Sequence, residues 1–146
     1  MSNAIATQGI AIKVGDGAMT EVFTTIAEVI GFSGPTTAAN EIEVTTLAST
    51  AKEFIAGLVD NGEVSLEVNA VPKDTQHRQI RADISAGTVR NYLIDFNDKE
   101  GAETTSTTYE FAAFVKEFPL SAAADDKLSG TVTLRITGAI IDTIAA

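Results

Sequence analysis

The most constraining feature of the sequence is an alternation of apolar and polar residues. In residues 62–69, Val64, Leu66 and Val68 are set against Glu63, Ser65, Glu67 and Asn69. A period of two belongs to a strand with one face buried and the other in water. Residues 40–46 repeat the pattern, with Ile42 and Val44 against Glu41, Glu43 and Thr45, and so do residues 131–137, where Val132, Leu134 and Ile136 alternate with Thr131, Thr133, Arg135 and Thr137. Segments 10–14, 22–32, 88–96 and 107–118 are rich in the β-branched and aromatic residues that suit a pleated surface. Turn residues at 15–17, 34–35, 60–62, 97–101 and 124–126 separate these segments. The pattern predicts a mainly β, antiparallel architecture.

One segment departs from it. Beyond Pro72, Asp74 can cap a helix over residues 75–85, with Ile80 and Ile84 one turn apart and Gly87 as its stop. Much of the chain's scarce positive charge, Lys73, Arg78, Arg81 and Arg90, lies in or beside this helix. It admits two readings, a solvated helix face and a binding patch. Residues 45–62 are also open. Leu47, Ala51, Phe54, Ile55 and Leu58 fall at helical spacing, yet the segment lies between two alternating strands. Phe54, Ile55, Leu58 and Val59 are too apolar for a loop tip left in water. It is either a helix folded on its own core or an arm that meets a partner.

Composition narrows the chemistry. The 146 residues suit one domain, 1–146, able to build a core without staples. With no Cys there is no disulfide, thiolate nucleophile or Cys-based metal site. A single His, His77, leaves no His-rich metal centre, and its helix position predicts a solvated surface residue. The net charge of −10 argues against gripping nucleic acid through its phosphates and is compatible with repelling it. Gly15 and Gly17 could open a nucleotide-binding fingerprint, but Thr20 stands where its third glycine belongs, so a hairpin turn is expected. The acidic run 95–101 has Lys99 at a calcium-ligand position and reads as a turn. Glu41 with Glu43, and Glu63 with Glu67, lie on the wet faces of predicted strands rather than forming a catalytic pair. No catalytic residues, cofactor or metal site are expected. The first ten residues lack the features of an export signal, and no apolar run is long enough for a membrane span. These features predict a soluble protein made in the cytoplasm.

The run TTLASTAKEFIAGLVDNGEVSLEVN, residues 45–69, resembles the core signature of the tail tube, or major tail, proteins of long-tailed bacteriophages. The similarity continues through Pro72, the short helix, residues 89–96, Phe114 to Pro119 and residues 130–138. It spans most of 8–140. The resemblance implies an antiparallel β-sandwich or partial barrel with one flanking helix and a long inter-strand loop. It also implies self-assembly into hexameric rings, stacked as a hollow, acid-lined conduit through which DNA is ejected without specific binding. In that family the long loop orders against neighbouring subunits, which favours the arm, with Leu47, Phe54, Ile55, Leu58 and Val59 as interface residues. The strands 40–46 and 62–69 are then expected in one sheet, with Glu41, Glu43, Glu63 and Glu67 as candidates to face the lumen. Implied partners are further copies, a tail tip initiator, a tape measure protein and a tail terminator, in a virion tail assembled in the host cytoplasm. Some relatives carry an extra C-terminal immunoglobulin-like domain; with the sequence ending at Ala146, no such decoration is expected. The alternatives are a tube subunit of a related injection device, such as a tailocin or secretion tube, and a free-standing β-sandwich binding module. The 6% aromatic content without Trp weakens the latter for carbohydrate.

Overall fold

The alternation in residues 62–69 forms a strand, Glu63–Asn69, whose Val64, Leu66 and Val68 are fully buried while Glu67 stays in water. The computed structural model describes residues 9–146. The export-signal reading of the N-terminus therefore lies mostly outside the described residues. In chain order the elements are β1 (Ala11–Gly15), β2 (Phe23–Thr25), β3 (Val29–Ser33), β4 (Ala38–Glu43), β5 (Phe54–Asp60), β6 (Glu63–Asn69), α1 (Thr75–Ala86), β7 (Val89–Asp95), β8 (Thr108–Glu117), β9 (Leu120–Ser121) and β10 (Ser129–Thr143).

The main sheet is antiparallel throughout and runs β2-β1-β7-β8-β10-β6-β3, with β9 added to the start of β10. Its two end strands, β2 and β3, are joined by residues 26–28 alone. Thr25 and Val29 thus lie no more than roughly 14 Å apart along the chain, so the sheet must roll until its ends approach. Two backbone bonds fix that closure: Ile26 donates its N–H to the Ile12 carbonyl of β1 at 2.8 Å, and Asn69 of β6 donates to the Glu28 carbonyl at 2.9 Å. The result is a partial barrel. One core fills it, with Leu66 opposite Val132 and Val64 opposite Leu134 in register, and Tyr92 stacked on Phe111 at 6.2 Å. Burial, and next the Asp83 carboxylate, pushes the Tyr92 hydroxyl well above its ordinary range, so it stays neutral.

Helix α1 packs against β8, with Ile80 buried. Asp74 accepts the Gln76 and His77 N–H groups at 3.0 and 3.1 Å, satisfying two donors of the first turn. At the other end Gly87 takes a φ of +66°, and its N–H donates to the Asp83 carbonyl at 2.8 Å. The buried Asp83 side chain receives Arg90 of β7 in a two-point contact at 2.6 and 3.1 Å. The hydrogen bond to Asp83 raises the Arg90 pKa.

Several expectations need correction. Segment 22–32 is two strands rather than one, broken where Glu28 takes a φ of +63°. His77 is buried, not solvated: its Nε2 lies 2.8 Å from the Ala27 carbonyl and its Nδ1 accepts the Val71 N–H at 3.1 Å. Those partners fix a neutral ring with the proton on Nε2. Residues 45–62 contain no helix; their second half is β5, paired with β4. That pairing gives backbone N–H and C=O groups the partners that a helix would have given them. Finally, segments 40–46 and 62–69 are not in one sheet, because β4 and β5 form a two-stranded sheet of their own.

Candidate functional site

The β4–β5 hairpin is the part of the fold that solves no problem for the core. Every residue of β4 is exposed, and so is every residue of β5 except Gly57. Cross-strand pairs are Glu43 with Phe54, Ile42 with Ile55 and Glu41 with Ala56. One face therefore carries Glu41, Glu43 and Phe54, and the other Ile42 and Ile55. A register shift between Ala39 and Glu41 puts an extra residue in β5, beside Leu58 and Val59. Leu58 is 88% exposed and Leu47, at the tip, fully so. An isolated two-stranded ribbon is marginal in water. This one is held at both ends instead.

At the root, Asp60 receives Arg135 Nη2 at 3.0 Å on both carboxylate oxygens and the Gly62 N–H at 2.9 Å. The Gly62 N–H first, and Arg135 second, lower the Asp60 pKa. Asn61 Nδ2 donates to the Gly138 carbonyl at 2.6 Å, tying the hairpin to β10. Gly62 is required here, since its φ is +70° and a Cβ would collide with Thr36. At the tip, Glu53 donates its N–H to Thr45 Oγ1 at 2.9 Å and accepts Ser49 Oγ at 2.7 Å, while Thr46 donates its N–H to Ser49 Oγ at 3.1 Å. The bend that presents Leu47 is thus built by side chains as well as backbone. Sequence reasoning missed Thr45, Thr46, Ser49 and Glu53; the short polar side chains around an apolar apex were the available signal.

The candidate lumen residues divide. Glu41 and Glu43 lie on the hairpin, whereas Glu63 and Glu67 lie on β6 of the barrel. Glu63 is neutralised by Lys116 at 2.8 Å, and its hydrogen bond raises the Lys116 pKa. Among the described residues Glu41, Glu43 and Glu67 form no ion pair. On α1, Arg81 does more than face water: it donates to the Phe118 carbonyl at 2.9 Å and lies 5.0 Å from the centre of that ring. Among the described residues no three His, Cys, Asp or Glu gather as metal ligands, and no helix is long and apolar enough to cross a membrane.

Comparison with known proteins adds three likenesses to a family match. Residues 3–144 match the family described as phage tail tube, TTP, lambda-like. Structural protein 3 of Pseudomonas phage PAJU2 is 29% identical over 87 residues, 57% of this chain and 53% of that protein. The matched part therefore spans about half of that relative's length. Among solved structures, the tail of an empty gene transfer agent particle, with C6 symmetry, superposes with a TM-score of 0.77 at 17% identity, over 96% of this chain and 99% of the other. The sheath–tube complex of an extracellular contractile injection system, PVC, in its extended state gives 0.72 at 16% identity, over 99% and 94%. At these identities the likeness to both structures is one of fold.

Proposed function

The chain belongs to the lambda-like phage tail tube family, and from that premise we propose that it is a single-domain structural subunit that polymerises into a hollow tail tube. The observation that carries the reading is the hairpin, an apolar ribbon projecting from a barrel whose own core is complete without it. Burial of one Val, Leu, Ile or Phe side chain stabilises by about 1.5–3 kcal/mol. Phe54, Ile55, Leu58, Val59 and Leu47 release that free energy only against another subunit, so the ribbon is the assembly surface. A six-subunit ring is the natural closed form, given the C6 symmetry of the similar gene transfer agent tail.

The tube's role is physical rather than catalytic. A duplex carries one negative charge per ~1.7 Å of axis, so a wall of uncompensated carboxylates lets DNA slide without adhering. Glu41, Glu43 and Glu67 are the candidates for that wall, and Glu63, paired with Lys116, is the weakest of the original four. The subunit acts in the virion tail after assembly in the host cytoplasm, alongside a tail tip initiator, tape measure and terminator. A second reading, a tube subunit of an injection device, has the superposition on the PVC sheath–tube complex in its favour. Negative-stain microscopy of the purified protein with its cognate tail tip tests the proposal: hollow tubes are expected, and persistent monomers would overturn it. Genes for a capsid and a tape measure beside this one would decide for the phage tail over the injection device.

A further inference from the structure

Past the C-terminal end of β6, whose other end adjoins the hairpin root, α1 and β9 line a small cavity of about 90 Å³ with Val71, Pro72, Arg78, Arg81, Phe118 and Leu120 among its walls. Its lining is mostly apolar, includes the buried His77 with both ring nitrogens already bonded, and carries two cations, Arg78 and Arg81. Val71 and Leu120 are partly exposed there without covering. The guanidinium of Arg81 is pinned over Phe118, so one cation is held at the edge rather than free to fold away. Among the described residues Lys73, Arg78 and Arg81 form no ion pair, although carboxylates outnumber cations two to one in the chain. Such a cluster on so acidic a protein is fitted to meet carboxylates of another molecule.

The hairpin tip has the complementary chemistry. Leu47 projects fully exposed from the bend fixed by Thr45, Thr46, Ser49 and Glu53, and Glu43 and Glu53 flank the base of that bend. One apolar knob between acids matches one largely apolar cavity beside cations, in chemistry and in sign. Within a copy the tip is built on the β4–β5 ribbon and the cavity on α1 and β9, and each is left uncovered. We infer that the tip of one copy docks in the α1–β9 cavity of a second copy, Leu47 entering between Val71, Phe118 and Leu120 while Glu43 and Glu53 face Arg78 and Lys73. The contact is heterologous, so it propagates from copy to copy rather than closing a two-fold pair. Because like-charged copies repel, the local match of signs also fixes which surfaces can meet.

This inference rests on the tube reading, and the test separates the two. The chain has no cysteine, so introduced thiols report without background. Leu47→Cys and Leu120→Cys chains are mixed, assembled on the tail tip and oxidised. A disulfide-linked dimer is expected in the polymer and absent from the dilute mixture. In parallel, Arg78→Glu is expected to lower polymerisation at least tenfold, and adding Glu43→Arg in the same chain to restore most of it, with more of the loss appearing at low salt. If the cysteine variants do not assemble, the charge pair decides. Tubes that form with neither a cross-link nor sensitivity to Arg78→Glu would overturn the docking and leave the tube intact. Unaltered protein that makes no tubes would overturn both.

Discussion

Strands β5 and β6 are each seven residues long and follow one another across Asn61 and Gly62, yet they treat their apolar side chains in opposite ways. In β6 every second residue is driven into the barrel, and Val64, Leu66 and Val68 keep no contact with water. In β5, Phe54, Ile55, Leu58 and Val59 all remain exposed, on both faces of a ribbon with no core beneath it. Strand propensity is common to both. What differs is the partner: β6 finds its own in β10, whereas β5 has only β4, and on the proposed tube reading its cover is another chain. The lesson is that an apolar strand reports a buried face only once the molecule that buries it is known.

The comparison can be broken most forcefully at β6. Leu66→Ala leaves a cavity at a fully buried site and should cost about 2–5 kcal/mol, read as a lower urea midpoint and a thermal midpoint lower by about 2–4 °C per kcal/mol. Leu58→Ala, the same chemical change on β5, should move monomer stability by no more than about 0.5 kcal/mol. Equal losses at both positions would erase the distinction between the two strands.

A medium effect is expected at His77, which ties α1 to the closure of the barrel. His77→Ala strands the Val71 N–H and removes the partner of the Ala27 carbonyl. It should cost about 1–3 kcal/mol and speed hydrogen exchange at Val71 first. The smallest effect lies at the hairpin root. Because its folded pKa is lowered, Asp60 contributes stability that is present above the unfolded pKa and lost as pH falls through the folded one. Asp60→Asn should therefore flatten the acid limb of the stability curve below about pH 4 and change little of its shape near neutrality. An unchanged acid limb would show that the hairpin root is not held by this carboxylate.

Much of the barrel was legible because burial on one side writes a period of two into the sequence: β6, β7 and β8 fall within the segments read from pattern, the segment 131–137 lies inside β10, and the caps of α1 at Asp74 and Gly87 were readable from residue type. The rest was hidden for physical reasons. β5 has no buried face, so its apolar residues need not alternate, and their spacing fell by chance near that of a helix. The break between β2 and β3 is made by a left-handed Glu28, which carries no mark in the sequence as glycine would. The burial of His77 depends on a carbonyl fifty positions away in the chain. Of the candidate site, the apolar residues of the hairpin were visible in the sequence, but their pattern left helix and arm equally open, and the arm was favoured by the family resemblance. The ion pair that removes Glu63 from the free carboxylates was not, because Lys116 reaches it only across the sheet.

The central claim is that the hairpin's apolar side chains are held for assembly and not for the fold. The most direct test places a charge at Phe54, which is about half-exposed at 49%, and reads two quantities from one preparation: the thermal midpoint of the dilute monomer and tube formation on the cognate tail tip. The account predicts that Phe54→Asp leaves the midpoint within about 1 °C of the unaltered protein, since a surface change costs little, while tubes vanish from negative-stain images. A variant that unfolds in dilute solution, or one that stays folded and builds normal tubes, would contradict it.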